Sequence, residues 1–267
     1  MLKPANDAHS IKAIAFVCEF DREIDAAGLE HMKHAAKRFR SQLPDFQERR
    51  AIAISFPGNL SHHSGLSHPS GMTPKVEGFK FSDKEKTWLE VASNKCVYWT
   101  SAYLDYARFE TEIIYYFKVA AEAFSKSGAS QFKAMIEYRD EFESPEIDWD
   151  PELMLRTNNR YLASAAVEKG TLWHNHCGFF AKSNEHGQIL NNVKIEHTIA
   201  QAEESTNITY ILALTLTHVL EVEPPVRFES ERFEACIRDQ LRHLRSEHKK
   251  ILSGILTDQA LDAIGFN

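Results

Sequence analysis

Two histidines separated by one residue are the clearest candidate for chemistry in this sequence. His174 and His176 occupy alternate positions, and Cys177 follows directly. Because alternate side chains of a β-strand point to the same side, the two imidazoles would lie close enough to share a zinc ion. His197 or His218 from neighbouring strands could complete the ligand set. This pattern predicts a metal site of a metal-dependent hydrolase, and the simpler interpretation is an exposed strand face.

A second group of histidines lies in a stretch rich in glycine, proline and serine. His62, His63 and His68 fall between Gly58 and Pro74. Such a composition predicts a loop, and a zinc site there would require that the loop become ordered. No cysteine or acidic cluster lies nearby in the sequence. We therefore expect a mobile loop that can be shortened at little cost in stability.

Several common sequence signatures of catalysis and cofactor binding are absent from this sequence. The four cysteines are far apart and form no CxxC pair, so in a chain without a secretory leader we interpret them as buried reduced thiols. No phosphate-binding loop, dinucleotide-binding motif, zinc-protease motif, nucleophile elbow or EF-hand loop occurs. The sequence therefore predicts no cofactor and favours a function other than catalysis.

Amphipathic aromatic residues are the best candidates for a binding surface. Tyrosine and tryptophan are common at interfaces because they combine a large apolar ring with a polar atom. Four such residues form the predicted partner-binding set, namely Trp99, Tyr103, Tyr106 and Trp149. The simpler interpretation is that these rings pack in the core.

The charge balance and the apolar pattern restrict the class of protein. The chain has 31 basic and 38 acidic residues, which gives a net charge of −7. This favours solubility and works against non-specific binding of nucleic acid, for which no specific partner is predicted. No apolar run approaches the ~18 residues of a membrane span, and the N-terminus has no apolar signal region. We expect a cytoplasmic protein, and homo-oligomer formation is left open.

The elements that would position these residues follow from hydrophobic periodicity. In the first part of the chain we predict strands at 11–20, 50–56, 78–81, 87–92, 96–102 and 132–142, with helices after Asp25 and from Asp105 to Ser127. In the second part we predict strands at 170–181, 188–201 and 207–221. A long C-terminal helix follows, with an apolar stripe formed by Phe233, Ile237, Leu241, Leu244, Ile251 and Ile255. We expect the last ten residues to contribute little to stability.

This order predicts an α+β fold of two loosely repeated, curved antiparallel β-meanders, each covered by a long helix. The first half reads β-α-β-β-β-β-α and the second β-β-β-β-α, with strand 132–142 leading into the second meander. The proposed boundaries are an N-terminal half at 1–145, a connection at 146–169 and a C-terminal half at 170–267. The two halves could also form one continuous domain. Alternating βα units are absent, which argues against a Rossmann fold or a TIM barrel.

Segments along nearly the whole chain resemble, in the same order, an uncharacterised, sporadically distributed prokaryotic family of about 250–270 residues with no established activity. Residues 244–261 are similar to the long helix that ends its members, which reads "lh…kn.iFe..iTde…lf". Residues 136–142 resemble the family's "RYINRI" strand: Tyr138 matches, Asp140 stands for the asparagine, and Glu137 and Glu141 replace the arginines. The family's patchy distribution resembles that of genes on mobile or defence islands, which implies an accessory role with a partner.

These observations support three functional hypotheses. The first is a non-enzymatic sensor or adaptor of a bacterial anti-phage defence or toxin–antitoxin-type operon. It would bind an operon-encoded or phage-derived protein partner through its aromatic surface. The second is a small-molecule or lipid binder with an apolar cavity between sheet and helix. The third is the metal-dependent hydrolase at the His174 and His176 strand.

Overall fold

The computed structural model describes most of the chain. The described residues are 2–4, 6, 9–51, 75–147, 149–163, 171–183, 187–201, 208–221, 226–229 and 232–266. The predicted loop from Gly58 to Pro74, with its three histidines, lies outside them. None of the helices in the described ranges is long and apolar enough to span a membrane.

The strands match the alternating segments of the sequence closely. They are β1 (Lys3–Pro4), β2 (Ile11–Phe20), β3 (Asp45–Ala51), β4 (Lys75–Ser82), β5 (Thr87–Ala92), β6 (Lys95–Thr100), β7 (Gln131–Ser144), β8 (Trp173–Ser183), β9 (Gly187–Gln201), β10 (Ile208–Glu221) and β11 (Val226–Arg227). Most of the inward positions on β2, β7 and β10 carry the large apolar residues that a buried sheet face requires.

The described residues form four α-helices and one short 3₁₀ turn. The helices are α1 (Ala26–Phe39), α2 (Tyr106–Lys126), α3 (Phe233–Ile255) and α4 (Asp258–Ala263), and the turn is Pro151–Leu153. Asp25 and Asp105 cap α1 and α2 by accepting hydrogen bonds from backbone N–H groups of the first turn. After α2 the chain turns at Gly128, whose φ of 82° is a conformation that glycine adopts without strain.

All strand pairs are antiparallel, and the strands form one large sheet. The order is β3-β4-β5-β6-β2-β7-β10-β9-β8, and β1 and β11 both pair with β7. Because β7 pairs with both β2 and β10, strands of the two predicted halves are hydrogen-bonded side by side. The chain is thus an α+β protein with a large antiparallel sheet. The repeated-meander architecture and the boundaries at 145 and 170 stay predictions.

The helices pack on one face of this sheet. Phe39 of α1 packs on Phe81, Phe124 of α2 stacks on Phe20 at 4.0 Å between ring centroids, and Phe233 of α3 packs on Phe132. The strand registers place these partners on the same side of the sheet. The opposite face carries the parallel rings of Trp88 and Trp99, 6.1 Å apart.

The covered face holds two apolar clusters. The larger one lies under α1, α2 and the first turns of α3, and the smaller one lies under the end of α3 and α4. Each cluster takes residues from both sides of the 146–169 connection: Ile189 belongs to the larger one, and Phe142 to the smaller one.

Two differences from the sequence-based prediction have simple physical causes. The third strand, predicted at 50–56, begins at Asp45 in the structure, and residues 52–56 lie outside the described ranges. Its residues from Asp45 to Arg50 are polar except for Phe46, so hydrophobic periodicity does not mark where the strand begins. The last ten residues, predicted to contribute little to stability, also include buried side chains. Ala260, Leu261 and Ile264 of the α4 region are buried in the smaller cluster.

Candidate functional site

A cavity of about 260 Å³ opens between the sheet and the C-terminal helices. Its walls come from the start of β2, the segment that leads into α2, strand β7, helix α3 and the residues after α4. The polar and charged side chains that line it include Ser10, Tyr103, Tyr106, Tyr138, Asp140, Arg245, His248 and Lys249. The antiparallel pairing of β2 with β7 and the course of α3 across β7 and β10 bring these segments together.

Three buried oxygens around this cavity have no hydrogen-bond partner among the described residues. They are the hydroxyls of Tyr106 and Tyr138 and Oδ2 of Asp140. Other such atoms occur on Glu110, Trp173 and Gln240, which do not line the cavity. A buried polar group without a partner costs roughly 1–3 kcal/mol in the free energy of folding, so three such oxygens at one cavity are unusual in a folded protein.

Asp140 is an almost fully buried carboxylate, with 1% of its surface exposed. The hydroxyl of Ser10 donates a hydrogen bond of 2.6 Å to Oδ1, which leaves Oδ2 as a free acceptor. Burial raises the pKa of Asp140 to about 6, and the Ser10 hydrogen bond offsets part of this rise. The side chain is therefore mainly a carboxylate at neutral pH and is available to a donor or cation.

A chain of buried hydrogen bonds runs from α3 through the sheet and back to the cavity. Nδ2 of Asn191 donates to Oε1 of Glu247 at 3.1 Å, and Oδ1 of Asn191 lies 2.7 Å from Nδ1 of His218. Nε2 of His218 lies 3.4 Å from Nδ1 of His248. His248 in turn stacks on the ring of Tyr138, with 3.7 Å between centroids.

This chain determines which nitrogen of each histidine carries the proton. Because the amide NH₂ of Asn191 donates to Glu247, its oxygen must accept from Nδ1–H of His218. Nε2 of a neutral His218 is then an acceptor and receives the Nδ1–H of His248. His248 consequently presents a bare Nε2, which has no hydrogen-bond partner among the described residues.

Both histidines are neutral at physiological pH. Burial lowers the pKa of His218 to about 3. Burial and the neighbouring His218 lower the pKa of His248 well below its ordinary value, and the cations Arg245 and Lys249 act in the same direction. Such an imidazole is a weak base, so His248 is suited to accept a hydrogen bond and poorly suited to remove a proton at pH 7.

Two cations complete the wall of the cavity. The guanidinium of Arg245 lies 3.8 Å from the centroid of the Tyr106 ring, and Nζ of Lys249 donates to the carbonyl of Phe266 at 3.1 Å. Neither cation forms an ion pair with a carboxylate among the described residues. Burial raises the pKa of Tyr106 to about 12, so its hydroxyl keeps its proton and can donate beside Arg245.

The structure places the four predicted partner-binding aromatics in three different environments. Tyr103 and Tyr106 line the cavity, and Trp99 lies beside Trp88 on the face of the sheet away from the helices. Trp149 is buried, and its indole N–H donates to Nε2 of His197 at 2.9 Å. These residues do not form one surface.

The structure also separates His174 and His176 from the two histidines that were expected to complete their metal site. His174 and His176 are exposed on β8, an edge strand of the sheet, and pair with Glu196 and Lys194. His197 and His218 lie on the opposite, helix-covered face and cannot complete their ligand set. Across the described part of the chain, no group of three or more histidine, cysteine or acidic side chains is arranged to hold a metal ion.

The sequence analysis named His218 only as a possible metal ligand and Asp140 only in the family-like strand, and it did not bring either residue together with His248. Asp140 alternates with Tyr138 and Phe142 on an apolar strand face, and His218 alternates with Leu216 and Leu220 in the same way. His248 lies four residues after Leu244 on the apolar stripe of α3. A polar residue at an inward position is the signal that could have identified them.

Comparisons of this chain with protein-family models, with curated proteins and with solved structures find no match.

Proposed function

We propose that this protein binds a small polar molecule in the cavity between β2, β7 and α3. The observation that carries the proposal is the set of three buried, unpartnered oxygens that surround this one space. A polar ligand that bonded to them would recover the free energy lost by their burial. The mixed polar and aromatic lining supports a polar ligand over the lipid that the sequence also suggested.

The sensor or adaptor role remains part of this proposal. A binding site of this kind would give a non-enzymatic protein of a defence or toxin–antitoxin-type operon a chemical signal to detect. The feature that favours a protein partner is the Trp88 and Trp99 pair, which lies on the sheet face away from α1, α2 and α3. Loss of a co-purifying partner in Trp99→Ala, with ligand binding retained, would support two separate surfaces.

The test of ligand binding uses a residue at the mouth of the cavity. Leu104 lines the cavity and is 60% exposed, so Leu104→Trp should block access without disturbing the core. Leu172→Trp is the matched control, because Leu172 is 51% exposed and lies elsewhere. Saturation-transfer NMR against a panel of polar metabolites should identify binders that Leu104→Trp abolishes and Leu172→Trp retains. Binding unaffected by Leu104→Trp, or no binder in the panel, would refute the proposal.

A further inference from the structure

We infer that the cavity recognises a small zwitterion of the amino-acid type, whose anionic group faces Arg245 and Lys249 and whose ammonium group faces Asp140 and His248. This inference rests on the proposed function and specifies its ligand class. It follows from the two kinds of group that line the cavity, hydrogen-bond donors with positive charge and buried acceptors, and each kind has its own structural basis.

The hydrogen-bond donors of the cavity, which are Arg245, Lys249 and the Tyr106 hydroxyl, are suited to bind an anion. Arg245 and Lys249 are one helical turn apart on α3, so both side chains leave the same face of the helix. The stacking of Arg245 on Tyr106 places the phenol ring of Tyr106 directly beside the guanidinium, and the unpartnered hydroxyl belongs to that ring. Guanidinium, ammonium and phenol donors together suit a carboxylate, which accepts up to four hydrogen bonds.

The acceptor side is built for a cationic donor. Oδ2 of Asp140 is an unpartnered, buried carboxylate oxygen, and the hydrogen-bond chain from Glu247 through Asn191 and His218 leaves Nε2 of His248 as a bare acceptor. An ammonium group donates three hydrogen bonds and carries the charge that a buried carboxylate lacks as a partner. Asp140 has no ion pair among the described residues, so this charge would come from the ligand.

The charges that line the cavity and its volume restrict the class of ligand further. The other acidic residue at the cavity, Asp105, is exposed and already accepts the backbone N–H of Arg108 as the cap of α2. The buried acceptor and the two unpaired cations therefore favour a molecule with both charges over a simple anion or a simple amine. A volume of about 260 Å³ is slightly below the ~300 Å³ at which pockets for drug-sized ligands begin, so a small metabolite fits better than a lipid.

The experiment compares zwitterions with analogues that lack one charge. Calorimetry and saturation-transfer NMR would measure binding of the standard amino acids and of short ω-amino acids. For each binder, the N-acetyl derivative removes the ammonium charge and the decarboxylated amine removes the carboxylate. We expect both analogues to bind about tenfold more weakly or worse, since each loses charge-assisted hydrogen bonds.

Variants then assign each charge to its side of the cavity. Arg245→Gln should weaken the parent amino acid while leaving its decarboxylated amine unchanged. Asp140→Asn, which keeps the acceptor for Ser10, should weaken the parent while leaving the N-acetyl derivative unchanged. Arg242→Gln is the control, because Arg242 is an exposed residue of the same helix and does not line the cavity. Circular dichroism melts would establish that each variant is folded before binding is measured.

Each outcome has a defined meaning. Equal affinity for a zwitterion and both of its analogues would overturn the inference. A neutral or singly charged molecule that binds more tightly than every zwitterion tested, in a way that Leu104→Trp abolishes, would also overturn it, while the proposed function would stand. If no molecule, zwitterionic or otherwise, binds at millimolar concentration in a way that Leu104→Trp abolishes, both proposals fail.

Discussion

At the scale of single residues, the unusual feature of this protein is that charged and polar side chains occupy inward positions of the sheet and of α3. Asp140, His218 and His248 are each at most 5% exposed. Burial shifts the pKa of the acid upward and the pKa of both bases downward. These shifts have opposite signs in the pH dependence of stability, which makes the residues separable by experiment.

Ionisation of the buried Asp140 carboxyl should lower the free energy of unfolding as the pH rises. Its pKa is about 6 in the folded protein and 3.8 ordinarily, so the folded state binds more protons between these values, and the free energy of unfolding falls from pH 4 to pH 6. Asp140→Asn removes this titration. In urea denaturation, the stability of the variant relative to the wild type should rise by about 2 kcal/mol from pH 4 to pH 7. A difference that does not change with pH would contradict the burial argument.

His218 should have the opposite effect. Its folded pKa of about 3 lies below the ordinary 6.5, so the unfolded state binds more protons in this window, and stability is lost as the pH falls below 6.5. His218→Gln should be less stable at pH 7.5, because Asn191 and His248 lose a partner. Between pH 6.5 and pH 4, however, the free energy of unfolding of the variant should fall by about 3 kcal/mol less than that of the wild type. Measuring both proteins with Asp140 unchanged cancels the opposing contribution of that carboxylate.

At the scale of elements, α3 and the residues that follow α4 form one side of the cavity, so their packing supports the site. The apolar stripe of α3 is fully buried on the sheet, and α4 adds to the smaller cluster while the residues after it reach the cavity wall. The site therefore depends on two helices that also carry core contacts.

Leu244→Ala should cost roughly 2–5 kcal/mol in the free energy of unfolding, because Leu244 has no exposed surface and its removal leaves a cavity in the larger cluster. Arg242→Ala on the same helix is the control and should change stability by less than about 0.5 kcal/mol. Urea denaturation measures both. A silent Leu244→Ala would mean that α3 does not pack lengthwise on the sheet.

Ile264→Ala should destabilise the protein by roughly 2–4 kcal/mol, since Ile264 is buried and also lines the cavity. Gln259→Ala at an exposed position of α4 serves as its control. Thermal melts compare the two variants with the wild type. Equal melting temperatures for all three would restore the sequence-based expectation that the last ten residues contribute little.

At the scale of the whole molecule, a polar layer divides the covered face of the sheet. Along β10, Leu220 belongs to the larger apolar cluster and Leu216 to the smaller one, with His218 between them. Along β9, Asn191 lies between Ile189 and Val193 in the same arrangement. The cavity borders this polar layer at Asp140 and His248, and the layer lies between the two apolar clusters.

The polar layer should behave as one unit in a double-mutant cycle. His218→Leu and Asn191→Leu each leave buried partners unsatisfied, so each should be destabilising by roughly 1–3 kcal/mol. The double variant should cost at least about 1 kcal/mol less than the two single effects added together, because both changes remove the same 2.7 Å hydrogen bond. Additive effects in urea denaturation would show that the two side chains act independently.

The sequence by itself determined the local structure of this protein. The alternation of Ile14, Phe16, Cys18 and Phe20 predicts the strand Ile11–Phe20. The Asp105 cap and Gly128 bracket helix α2 in the same way. These features depend on the geometry of neighbouring residues along the chain, which is why periodicity and capping are sufficient to identify them.

Only the tertiary structure decided the site. Ser10 bonds to Asp140 across 130 positions of sequence, and His218 contacts His248 across 30. Both contacts require a particular strand register and a particular path of α3 across the sheet. A shift of one residue in the pairing of β7 and β10 would turn His218 to the other face of the sheet, so the cavity exists only when the whole sheet is assembled.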